Sequence, residues 1–192
     1  NAAINASCYA GQIDATVTNT VDTNLQIGTA NANVTAKGED ADKTLTLNAA
    51  ANTANTLTIV DGGTVAGDIA VTNAKSTVTV ADAFTGTGEV KVTTADDDAV
   101  AINFGASTTG TRVVDATAMS TASKALTLTG ADVVTLTSTN AAINASSYAG
   151  QIDATVTNTV DTNLQIGTAN ANVKAKGEDA DKTLTLNAAA NT

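Results

Sequence analysis

The first 53 residues of this chain, Asn1 to Thr53, occur again as Asn140 to Thr192, displaced by 139 positions and changed at only two of them, Cys8/Ser147 and Thr35/Lys174. Near-identity over such a span marks a tandem array, in which each unit is completed by packing against its neighbours. The 192 residues hold one full unit, residues 1–139, and the first part of the next, residues 140–192. No Pro-rich stretch, charged tract or shift of composition separates the two, so 1–192 is expected to form one continuous body. The chain starts on Asn1 and its second copy stops inside the motif, so both ends read as cut from something longer.

A shorter period runs inside the unit. Ile4, Leu25, Leu47, Ile69, Val90, Val113 and Val134 form one series of apolar centres, and Ile13, Val34, Leu57, Val78, Val100 and Leu126 form another. Members of each are about 22 residues apart, except at the longer last step from Val100 to Leu126. Around each centre the apolar residues alternate, as in Ile13-Ala15-Val17, Leu45-Leu47, Leu57-Ile59, Val78-Val80 and Val100-Ile102-Phe104, with Gly, Asn and Asp between the runs. Period two with β-branched residues is a strand signal, and the intervening residues supply turns. Ala is abundant, but apolar residues do not recur at helical spacing and Thr, Val, Asn and Gly dominate the rest.

Short strands every ten to twelve residues would also suit a sandwich. A sandwich needs large side chains to fill the roughly 10 Å between its sheets and has no cause to repeat every turn. The expected fold is therefore all-β: a parallel β-solenoid (β-helix) with about 22 residues and two main strands per turn, its narrow interior filled by Ala, Val, Ile and Leu. At about 4.8 Å per turn, the chain would make roughly nine turns and a rod of about 40 Å. A unit of 139 residues is not a whole number of such turns. Either the two series exchange faces from one unit to the next, or an irregular turn lies around Ser120 to Lys124.

Composition narrows the function. Nine basic residues stand against nineteen acidic ones, for a net charge of -10, and Arg112 is the single arginine. With no basic cluster, the counter-ion release that drives phosphate-backbone binding is missing, and nucleic acid is not an expected partner. There is no His and no Trp, and the aromatic residues are Tyr9, Tyr148, Phe84 and Phe104. The commonest general base is absent, and so are most of the stacking platforms of a sugar site, so the chain is not expected to be an enzyme. No run of eighteen apolar residues is present and no transmembrane segment is expected. Cys8 has no second cysteine to bridge to and is Ser147 in the other copy, which makes it an inert residue, a labelling site or a link between chains.

Three surface features are candidates for more than scaffolding. A phrase recurs at the strand-to-turn positions: Ile4-Asn5-Ala6-Ser7, Ile13-Asp14-Ala15-Thr16, Leu47-Asn48-Ala49-Ala50, Val114-Asp115-Ala116-Thr117 and Ile143-Asn144-Ala145-Ser146. Its apolar residue would point inward while the Asn or Asp bonds backbone at the corner. Acidic residues cluster at Glu39, Asp40 and Asp42, repeated as Glu178, Asp179 and Asp181, and at Asp96, Asp97 and Asp98. Carboxylates on a turn are what calcium takes as ligands, six to eight oxygens at about 2.3 to 2.6 Å, and the Asp96 cluster is the better candidate because no base adjoins it in sequence. The alternative is a solvated loop, with Lys37 and Lys43 beside the first cluster. Finally, the Thr-x-Thr steps at Thr44, Thr56, Thr77, Thr127 and Thr135 would project hydroxyls outward. On one flat sheet they would make an ice-binding lattice, but they alternate between the two strand series.

The corner phrase, the run Leu126-Thr127-Leu128-Thr129-Gly130-Ala131-Asp132 and the run Ala-Gly-Gln-Ile-Asp-Ala-Thr from Ala10 together resemble the Thr/Ala/Asn-rich β-solenoid regions of bacterial surface-layer and giant repeat adhesin proteins, which are RTX-like and type I secreted. The likeness is one of composition over essentially the whole chain. The calcium-binding nonapeptide of that family, Gly-Gly-x-Gly-x-Asp, is absent, and Asp61-Gly62-Gly63 is only a fragment of it. The resemblance implies a secreted, extracellular or bacterial cell-surface location. It also implies a structural repeat segment of a surface layer or filament, anchored through a cell-surface glycan or lipid outside this window. Because neither end reads as a cap and an unfinished solenoid end exposes unpaired strand edges, the segment is expected to associate with itself head to tail. The stalk of a giant adhesin is the alternative, and an ice-binding solenoid a more distant one.

Overall fold

The computed structural model describes residues 2–38, 40–51, 56–65, 67–81, 87–95, 98–105, 111–121, 124–167 and 170–188. Among them there is no helix, and therefore none long and apolar enough to cross a membrane. The strands, numbered in chain order, are β1 Ala2–Asn5, β2 Ile13–Asn19, β3 Thr23–Gln26, β4 Ala32–Gly38, β5 Thr44–Asn48, β6 Thr56–Val65, β7 Asp68–Ala74, β8 Thr77–Val80 and β9 Glu89–Thr94. They continue as β10 Val100–Phe104, β11 Thr111–Ala116, β12 Ala125–Gly130, β13 Val134–Thr139, β14 Ala142–Tyr148, β15 Ile152–Asn158, β16 Thr162–Ile166, β17 Ala171–Gly177 and β18 Leu184–Ala188. Odd-numbered strands form one nine-stranded sheet and even-numbered strands the other, each in chain order and parallel throughout. The chain is a β-solenoid with two sheets and roughly 21 residues per turn.

The two series of apolar centres found in the sequence are these two sheets. Where a ladder slips from the expected partner it does so by two residues: Val34 lies opposite Ile59 instead of Leu57, and Val78 opposite Ile102 instead of Val100. A two-residue slip leaves the side chain on the same face. Val113 is a one-residue error and faces outward, while Arg112 and Val114 on either side of it are buried. The correct inward column reads Leu45, Ile69, Val90, Arg112, Val134 and Ile152, so the only arginine stands in an aliphatic ladder. The long step to Leu126 is also explained. The connection after β11 carries Met119 into the core, fully buried, with its N–H donated to Ala116 O at 3.2 Å.

In the even sheet the interior column Val80, Phe104, Gly130, Tyr148 alternates large and small. Gly130 has φ +124°, and a Cβ there would run into the backbone carbonyl of Phe104, so this position between the two aromatic residues takes only glycine.

The mismatch between the unit and the turn resolves as an exchange of faces. The strands β1 to β5 of the first copy recur as β14 to β18, thirteen places on, and thirteen is odd. Every repeated strand therefore lies in the opposite sheet: β2 in the even sheet, its copy β15 in the odd one. The ladders do not break at the unit boundary, where β13 pairs with β15 and β12 with β14.

Candidate functional site

Four of the five corner phrases form the same turn. The side-chain oxygen accepts the N–H two residues on, from Ser7 to Asn5 at 3.0 Å, Ala50 to Asn48 at 3.1 Å, Thr117 to Asp115 at 3.2 Å and Ser146 to Asn144 at 3.1 Å. Asp14, in β2, departs from the pattern. Its carboxylate accepts instead from Gln12 Nε2, at 2.9 and 3.0 Å, and from Asn33 Nδ2 on the next strand, at 2.8 Å. These bonds hold Asp14 below the ordinary carboxylate range, Gln12 contributing most. The copy, Asp153, is lowered in the same way by Asn172 and Gln151. Burial pushes Asp115 up, but the Thr117 hydroxyl and N–H and the nearby Lys91 more than offset it and leave its carboxyl below the usual value.

Other carboxylates tie one turn to the next. Asp22 accepts from Thr44 N at 3.1 Å, Asp68 from Glu89 N at 2.8 Å and Asp161 from Thr183 N at 2.9 Å. Much of the acidic composition is thus internal architecture, satisfying N–H groups that a strand start would otherwise leave to water.

The structure describes the acidic clusters only in part. Glu39, Asp96 and Asp97 lie outside the described residues. Asp40 spends one oxygen on the N–H of Asp42 at 3.0 Å, and Asp179 does the same for Asp181 at 3.0 Å. In the second copy Glu178 pairs with Lys176 Nζ at 2.7 Å, which raises the lysine pKa. Asp98 gains a basic neighbour through the fold, which brings Lys75 from the preceding turn to 3.9 Å. No three His, Cys, Asp or Glu residues converge as ligands among the described residues.

The Thr-x-Thr steps are more ordered than the sequence indicates. Three of the five lie on the even sheet in register, giving outward columns Thr56, Thr77, Ala101, Thr127 and Thr58, Thr79, Asn103, Thr129. Thr46 and Thr135 lie on the odd sheet in one column with Ala70, Lys91 and Val113. The even-sheet rows are interrupted at β10, where Ala101 and Asn103 replace threonine.

One constellation escaped the sequence reading. Arg112, fully buried, donates from Nε to Asp132 Oδ2 at 2.8 Å, and Tyr148, also fully buried, donates its hydroxyl to the carbonyl oxygen of Asp132 at 2.7 Å. The three residues come from successive turns. Burial and the Asp132 charge push the Tyr148 hydroxyl well above its ordinary pKa of 10.0, opposed in part by Arg112. A charge pair shut away from water stands only with both partners present, and removing one typically costs about 3 to 5 kcal/mol. The signal was available, since alternation back from Ala116 and Val114 places Arg112 inside. Chemically this is a buried staple.

A shallow open depression of about 540 Å³ crosses the outer face of β13, β15 and β17, lined by Thr135, Asp153, Thr155, Asn172 and Lys174. It offers one carboxylate and one amine, both on a flat sheet surface. No protein family, curated protein or solved structure matches the chain.

Proposed function

We propose that the chain is a non-catalytic structural repeat segment of a bacterial extracellular or cell-surface assembly, a surface layer or filament, whose units join end to end. The observation that carries this reading is the junction. Across the unit boundary the ladders and the aliphatic interior continue as they do within a unit, and the Arg112–Asp132–Tyr148 staple spans that boundary. A fold that propagates through its own boundary needs no linker and lengthens by repetition. The terminal turns of this chain leave Ile4 and Leu186 about half exposed, beside strand edges whose N–H and C=O groups face a free side. Such an edge is a template for a further strand, and a second copy of this chain supplies one. The net charge of -10 keeps parallel rods apart, and calcium held between acidic turns of neighbouring rods is the lateral contact that this charge allows.

Electron microscopy of the purified chain, with millimolar calcium and with a chelator, tests the proposal. Filaments with a regular axial repeat are the expected result, and side-by-side bundling that appears only with calcium would support the acidic turns as contacts. Single short rods under both conditions would overturn end-to-end association and leave the stalk of a giant adhesin as the reading.

A further inference from the structure

The exchange of faces has a consequence for any array of these units. Thirteen strands at two to a turn make six and a half turns, so each unit begins on the sheet opposite to the one on which its predecessor began. We infer that consecutive units are related by a half-turn screw, so that the array offers one and the same surface alternately on opposite sides. With strands about 4.8 Å apart, the stagger between successive presentations is about 31 Å, and the same side recurs after two units, about 62 Å.

The surface concerned is specific. In the even sheet, Gln12, Asp14 and Asn33 form an outward carboxylate–amide row beside Thr16. In the odd sheet, Gln151, Asp153 and Asn172 form the same row beside Thr155, with matching distances. Both rows stand although their neighbours differ: in the first the carboxylate is on the edge strand β2 and the Asn amide on β4 inside the sheet, and in the second the carboxylate is on β15 inside the sheet and the Asn amide on the edge strand β17. The row is therefore a property of the unit, and only its side of the rod changes. A unit with an even number of strands would stack all its rows on one side and make a rod with a front and a back. The odd number makes the rod two-faced, and a partner that recognises this surface, a second rod included, is engaged from both sides. This inference depends on strand count alone and stands whether or not rods join end to end.

The test uses the whole chain. In a Cys8→Ser background, the residue that the second copy already carries, Thr16→Cys and Thr155→Cys are biotinylated and decorated with monovalent streptavidin. Both positions are exposed on their strands, so the fold is retained. Class averages in the electron microscope are expected to show two densities on opposite sides of the rod, staggered by about 31 Å. A second variant labels Thr16→Cys together with Asn163→Cys, which lies outward on β16 of the same sheet as Thr16. Its two densities are expected on one side, about 34 Å apart. Thr16 and Thr155 densities on the same side, or Thr16 and Asn163 densities on opposite sides, would overturn the half-turn relation.

Discussion

Tyr9 and Tyr148 occupy the same place in the repeated sequence, yet Tyr9 is 55% exposed and Tyr148 is not exposed at all. The difference is the preceding turn, which gives Tyr148 the carbonyl of Asp132 and gives Tyr9 nothing comparable. A side chain in a solenoid acquires its energy from the adjacent turn, and its own sequence supplies only the shape. Tyr148→Phe removes a hydrogen bond and leaves a buried carbonyl short of its donor, so it should lower unfolding free energy in urea by about 1 to 2 kcal/mol. Tyr9→Phe should leave the midpoint unchanged. The pH dependence has a definite sign. The folded state raises the pKa of Tyr148, so its contribution is fully present below the unfolded value near 10.0 and is lost as pH rises through the folded value. Stability should fall above about pH 10, by up to about 1.4 kcal/mol per pH unit, and this slope should flatten in Tyr148→Phe. An unchanged slope in the variant would show that other groups carry the alkaline loss.

Individual elements were legible in the sequence because a half-buried strand writes its alternation directly, and the two apolar series proved to be the two sheets. What stayed hidden depends on register across turns. Arg112 is one residue from the expected centre at Val113, and one residue is the difference between interior and surface. The Lys75–Asp98 approach links residues that no local pattern relates. The turn at the unit boundary is a third case. Asn140 has φ 63°, accepts the Thr159 N–H at 2.7 Å, and donates to Thr159 Oγ1 at 2.8 Å and to Ser120 O at 3.4 Å. One side chain thus clips three successive turns from a left-handed backbone position that Asn tolerates better than most residues. Asn140→Gly keeps the backbone accessible and loses the clip, whereas Asn140→Ala loses both. Thermal melts should rank wild type above Gly and Gly above Ala, with Ala lower than Gly by about 1 kcal/mol. Equal loss in the two variants would mean that the left-handed geometry carries no energy of its own.

At the scale of the molecule, the repeat contains its own control for end effects. Residues 36–48 and 175–187 have the same sequence, but the first lies between turns and the second at the open end. Leu47 is fully buried, while its counterpart Leu186 is 51% exposed. Because stability in a solenoid is a sum over units and interfaces, strands at the end open at lower cost than strands inside. A proteolytic peptide common to both segments should therefore show two mass envelopes of equal area in hydrogen exchange, one protected and one labelled early. A two-envelope pattern can also arise from slow cooperative opening, but then the areas would shift with labelling time, whereas positional envelopes keep equal areas while each moves. A single envelope would mean that protection is set by local sequence, which the burial difference contradicts. The same measurement bears on assembly. If chains stack head to tail, the open end of one is covered by the next, and the early-labelled envelope should shrink as protein concentration rises. An envelope ratio independent of concentration would separate a rod that ends where its chain ends from one that continues into its neighbour.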